Sequence, residues 1–143
     1  MNYEDVKNVL QSAYWWNKKL ETDKAFLEQL RDISSTVRAV QYDAIHVQGG
    51  SHHSAVEDCV IRLADYEQKI IEDISGLQSS LEQIDQFASM LSETRKQTLI
   101  RRRYQMFETW EKIAFELGYT WQYMHILHKS AVKEIAQKLS KAG

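Results

Sequence analysis

The sequence has no proline and only five glycines in 143 residues, so it lacks most of what ordinarily stops a helix. With Leu, Ile, Gln, Glu, Lys and Ala plentiful, this predicts an all-α protein. No apolar run approaches the ~20 residues needed to cross a bilayer, and the N-terminal MNYEDVKNVL has no basic segment leading into an apolar one. A cytoplasmic protein without a membrane partner is the expectation. The single cysteine, Cys59, excludes an internal disulfide and fits a reducing compartment. His52 and His53 lie near it, which raises a metal site or a Cys/His nucleophile. No third ligand or orienting carboxylate falls at a recognisable spacing, so Cys59 reads as a thiol on a helix face beside a polar loop.

Also missing are a glycine-rich phosphate loop and a Glu-x-x-His pair, and no Ser/His/Asp order falls in a plausible pocket. No catalytic residue, metal ligand or cofactor is assigned, and the chain is not read as an enzyme. His125 and His128, at i and i+3, lack a third ligand and read as solvated or DNA-facing.

The net charge of −2 conceals an asymmetry. Residues 1–91 carry 8 Lys/Arg against 15 Asp/Glu, whereas residues 92–143 carry 10 against 5. A basic final third suggests a polyanionic partner that the acidic remainder would repel.

Along the chain, Val6, Val9, Ala13, Trp16, Leu20, Leu27, Leu30 and Val37 recur at steps of three and four, with gaps at Asp23 and Ser34. That spacing predicts a long helix from Tyr3 to about Val40. Tyr14 and Trp15 lie off its stripe. The segment HVQGGSHHSAVED, residues 46–58, reads as a hairpin loop, with Ser54 and Glu57 as a capping box. Val56, Val60, Leu63, Ile70, Ile74, Leu77, Leu81, Ile84, Ala88 and Leu91 then follow a 4-3-4-3 rhythm interrupted only at Glu67. Such a stripe must be buried, against the first helix in an antiparallel hairpin or against a second copy in a homo-oligomer. The expected division is a helical hairpin over 1–91 for oligomerisation or partner contact, followed by a DNA-binding unit over 92–143.

In that unit, TWEKIAFELGYTWQYMHILH places a glycine inside an otherwise helical pattern. Numbered as a helix-turn-helix from Trp110, it puts Ala114 at the closest crossing and Gly118 at the turn. Ile113, Leu117, Tyr119, Met124 and Leu127 take the buried positions, and Thr109 and Thr120 the two N-caps. RKQTLIRRRYQMF supplies a helix behind the pair through Leu99, Ile100, Tyr104 and Phe107, and Ala131, Val132, Ile135 and Leu139 extend the second helix. The outward residues of that helix are Trp121, Gln122, His125, Ile126 and Lys129, suited to base edges in a major groove. Thr120 and Tyr123 stand near phosphates. Gln122 suits adenine and Ile126 a thymine methyl, while Lys129 with Arg101, Arg102 and Arg103 suits the backbone.

The string TWEKIAFELGYTWQYMHILHKSAVKEI resembles the C-terminal region of phage and prophage transcriptional regulators of the RinA and ArpU type, which is similar to sigma factor region 4. The resemblance rests on Thr109, Trp110, Ile113, Ala114, Leu117, Gly118, Tyr119, Thr120, Met124, Leu127, His128 and Ala131, over about a third of the chain. The hairpin with its VQGGS loop looks more weakly like the helical part of related streptococcal phage proteins. The resemblance implies a regulator of phage late genes in a bacterial host cell, bound to double-stranded DNA; the acidic hairpin is expected to serve self-association or contact with RNA polymerase. Where relatives carry a basic residue after the Ser/Thr cap, this chain has Trp121. Two further readings are a packaging component such as a small terminase subunit, and an adaptor presenting Trp121, Tyr123 and His125 to a protein.

Overall fold

Helix is the only regular structure in the computed structural model of the chain, which describes residues 1–48 and 53–142, with the side chains of 43–54 outside the description. The all-α expectation holds: α1 spans Tyr3–Gln48, α2 His53–Ser89, α3 Thr94–Tyr104, α4 Trp110–Leu117 and α5 Trp121–Ala142. Both long helices run further than the loop expected at 46–58 allows, because no proline or other strong breaker interrupts residues 41–48 or 53–58. The GGS of that loop, the Ser54 side chain of the capping box, and His52 and His53 as candidate ligands lie outside the described residues or side chains.

The chain divides into two compact units, Met1–Asn17 with Gly76–Gly143, and Lys18–Ser75. The first holds two apolar clusters, of which the larger draws on four helices. Val6, Leu10 and Ala13 of α1 meet Ile84, Phe87, Ala88 and Leu91 of α2, Ile100 and Tyr104 of α3, and Ala131, Val132 and Ile135 of α5. Each valine, leucine, isoleucine or phenylalanine among them removed from water is worth about 1.5–3 kcal/mol, so the hairpin base and the C-terminal helices hold one another. The units therefore part elsewhere than at Leu91. The fall in apolar density after that residue marks a turn, and the residues that complete the core stand at the chain's beginning.

In the second unit the two helices run antiparallel, since Lys19 reaches Asp73, Phe26 packs on Tyr66 and Arg31 approaches Glu67. The seam differs from the one read in the sequence. Val60 and Ile74 are 46% and 49% exposed, while Asp73 is buried and Cys59 and Tyr66 half-buried in their stead. Asp73 is tolerated because Lys19 Nζ lies 2.5 Å from its Oδ1 and 3.1 Å from Asp23 Oδ2, giving the buried carboxyl a cation. Burial and the neighbouring Asp23 carboxyl push the Asp73 pKa up. The gaps at Asp23 and Ser34 are thus seam positions occupied by polar groups, Ser34 being buried.

Candidate nucleic-acid interface

α4 begins where Thr109 Oγ1 accepts the Lys112 amide at 3.2 Å. It ends where Gly118 enters the left-handed region at φ 70°. The Gly118 amide donates to the Phe115 carbonyl and the Tyr119 amide to the Ala114 carbonyl, at 3.3 and 2.9 Å. That pair of bonds is a Schellman closure, which satisfies carbonyls that the helix end would otherwise orphan. Thr120 Oγ1 then accepts the Tyr123 amide at 3.1 Å and starts α5. Ile113, Met124 and Leu127 are buried with Leu99, and Trp110, Ala114, Leu117, Tyr119 and Tyr123 pack around them. A helix, a sharp left-handed turn and a second capped helix over a third helix is helix-turn-helix geometry.

On α5, Trp121, Gln122, Ile126 and Lys129 are exposed, as expected of an outward face. Trp121 is 49% and Ile126 67% exposed. His125 is half-buried, its ring 4.5 Å from that of Trp121 and 5.3 Å from that of Trp110. Arg103 lies over the Trp110 ring at 4.6 Å. The four groups form an aromatic and cationic row along the front of the motif.

Several other assignments fall differently. Tyr123 turns inward, its hydroxyl accepting from Arg95 at 2.8 Å. Thr120 stays exposed, its hydroxyl making the N-cap expected of it. Arg101 pairs with Asp85 and bonds Ser89. Arg102 is held between Glu108, at 2.9 Å, and Glu116. Arg103 donates to the Glu108 carbonyl at 3.0 Å. The three arginines expected on the backbone of DNA are therefore engaged with the protein's own acidic, carbonyl and aromatic groups. Sequence could not reveal this, because Asp85 and Glu116 lie 16 and 14 residues from their partners.

His128 is corrected outright: it is buried, 7% exposed, with Nε2 2.6 Å from the Tyr104 hydroxyl and its ring edge-on to Trp110. Burial, with the charges of Lys7, His125 and Arg103, lowers its pKa to about 4. The Tyr104 pKa is pushed up by burial, so the pair is neutral at ordinary pH. Behind the motif, Glu134 receives the Ser92 amide at 3.0 Å and lies 3.0 Å from Lys96 and 3.2 Å from Lys138. Burial pushes its carboxyl up, but these three partners outweigh it and hold the pKa down at about 2. This clamp ties α5 to the segment before α3, and nothing in the sequence pattern marked it.

Among the described residues, no three His, Cys, Asp or Glu side chains are grouped to hold a metal ion. None of the described helices is long and apolar enough to cross a membrane. Comparison with family profiles, curated proteins and solved structures finds no match for this chain.

Proposed function

We propose that this chain is a DNA-binding transcriptional regulator of phage or prophage genes, late genes included, whose α5 enters the major groove and which has no catalytic role. The observation that carries the reading is the α4–Gly118–α5 motif, capped at both helix starts, with Gln122, Ile126 and Lys129 left outward on one face. The resemblance to RinA and ArpU regulators over the same residues supports it. Self-association is part of the proposal. Val60, Ala64, Ile71 and Ile74 form a second α2 stripe, exposed within Lys18–Ser75, and a second copy is its proposed occupant. Contact with RNA polymerase belongs to the reading as well.

Fluorescence anisotropy against DNA from around the chain's own gene, at two salt concentrations and with unrelated DNA as competitor, tests it. Tight, competition-resistant binding that weakens with salt is expected, because phosphate contacts release counterions. Absence of binding at low salt would overturn it.

One observation favours a protein-binding alternative: Phe115 on α4 is 88% exposed, beside a motif that also exposes Trp121 and Ile126. On that reading Trp121→Ala abolishes capture of a protein partner and leaves DNA retention unchanged.

A further inference from the structure

Residues 92–143 hold ten lysines and arginines, and packing occupies most of them. Arg95 pairs with Glu93, Lys96 and Lys138 with Glu134, Arg101 with Asp85, and Arg102 and Lys112 with Glu108. Arg103 covers Trp110. Among the described residues, four cations of this region make no ion pair; Arg103 is engaged by the Trp110 ring and the Glu108 carbonyl, which leaves Lys129, Lys133 and Lys141.

Two of the three occupy one place. Lys129 and Lys133 are both exposed and line a groove with Ser130, Gln137 and Lys96, with Ile126 at its leading end and Glu134 on its wall. Positions 122, 126, 129 and 133 step by four, three and four, so they share one face of α5. At 1.5 Å per residue the face runs about 16 Å from Gln122 to Lys133, which carries it beyond the residues that meet base edges. Glu134 stays anionic there, but Lys96 and Lys138 already match its charge, so the groove remains positive.

We propose that Lys133, together with Lys129, binds backbone phosphates of duplex DNA, the groove seating the strand that flanks the bases read from Gln122 and Ile126. The proposal rests on the major-groove reading and adds a phosphate site to it. A phosphodiester offers only acceptors and a negative charge. Unpaired ammonium groups meet it without first giving up a carboxylate, unlike Arg101 and Arg102, and the Ser130 hydroxyl and Gln137 amide can donate beside them.

Because phosphate contacts are independent of sequence, a fluorescein-labelled random-sequence duplex is a sufficient probe, titrated with the full chain across a range of salt. The expected result is that Lys133→Gln and Lys129→Gln each reduce the slope of log affinity against log salt by about 0.9, while Lys141→Gln leaves it unchanged. All three side chains are exposed, so the fold is kept. Binding by the parent chain with an unaltered slope in Lys133→Gln overturns the groove and leaves the DNA reading standing. An equal loss in Lys141→Gln assigns the effect to net charge and overturns the site. No duplex binding at the lowest salt overturns both.

Discussion

His125 and His128 stand three positions apart on α5, yet packing gives them different surroundings. His125 shares the exposed front with Trp121, and His128 closes on Tyr104 inside. The signal for the second was present, since 124, 127, 128, 131, 132 and 135 are the steps of a helix face turned to a core. Burial of a neutral imidazole makes stability depend on pH. Its folded pKa of about 4 lies below the ordinary 6.5. Between these values the unfolded chain binds a proton that the folded chain refuses, so stability is complete above 6.5 and declines as pH falls toward 4. The shift corresponds to about 3 kcal/mol. Urea unfolding across this window is expected to show that decline in the parent chain. His128→Gln, which keeps a polar partner for Tyr104 but cannot titrate, is expected to be weaker at neutral pH and flatter below it. A parallel decline in both chains would sink the assignment. The Glu134 carboxyl, held near 2, contributes in a lower window, losing its effect only as pH falls below the ordinary carboxylate range.

At the scale of elements, the caps and turn of the C-terminal motif were readable because they depend on neighbours in sequence, whereas the facing ends of α1 and α2 were not. Thr109, Gly118 and Thr120 each act within five residues of themselves. The side of α2 turned inward was less readable, because two apolar columns compete. Val60 and Ile74 fit the rhythm better than Cys59 and Asp73, but the seam holds the polar column, with Asp73 paired to Lys19. Phe107, at φ 58°, is a second case: a bulky residue in the left-handed region between α3 and α4, at a cost of about 1–2 kcal/mol, held by packing on the main cluster. Gly76 shows how close two helices come. A Cβ there would lie 2.7 Å from three carbons of the Trp16 indole. Alanine in a helix interior gains about 1 kcal/mol over glycine, but overpacking against a rigid ring costs about 1–3 kcal/mol. Gly76→Ala is therefore expected to destabilise by about 1 kcal/mol. A raised urea midpoint would mean that the indole moves aside freely.

For the whole molecule, the unit Lys18–Ser75 exposes apolar residues that a monomer leaves in water. Ile71 and Ile74 are 59% and 49% exposed on one α2 face. Ile71→Glu with Ile74→Glu is expected to lower the oligomeric state in light scattering while helix content is kept. A parent chain that is monomeric at every concentration would exclude self-association through this face, and a ring-like higher oligomer would favour the packaging reading. Sequence by itself determined the helical class, the caps at Thr109 and Thr120 and the turn at Gly118, because the lack of proline, the apolar period and the capping residues all act over a few positions. It also placed Gln122, Ile126 and Lys129 on one outward face, since that follows from helical period alone. Only the tertiary structure decided which cations remain available, which α2 column is buried, and that the first seventeen residues complete the core beneath the motif. Ion pairing and burial are settled between residues distant in the chain: Arg101 with Asp85, Arg102 with Glu116, Val6 and Leu10 with Val132 and Ile135. No local pattern encodes those meetings, and they leave Lys129 and Lys133 unpaired on the exposed face of α5.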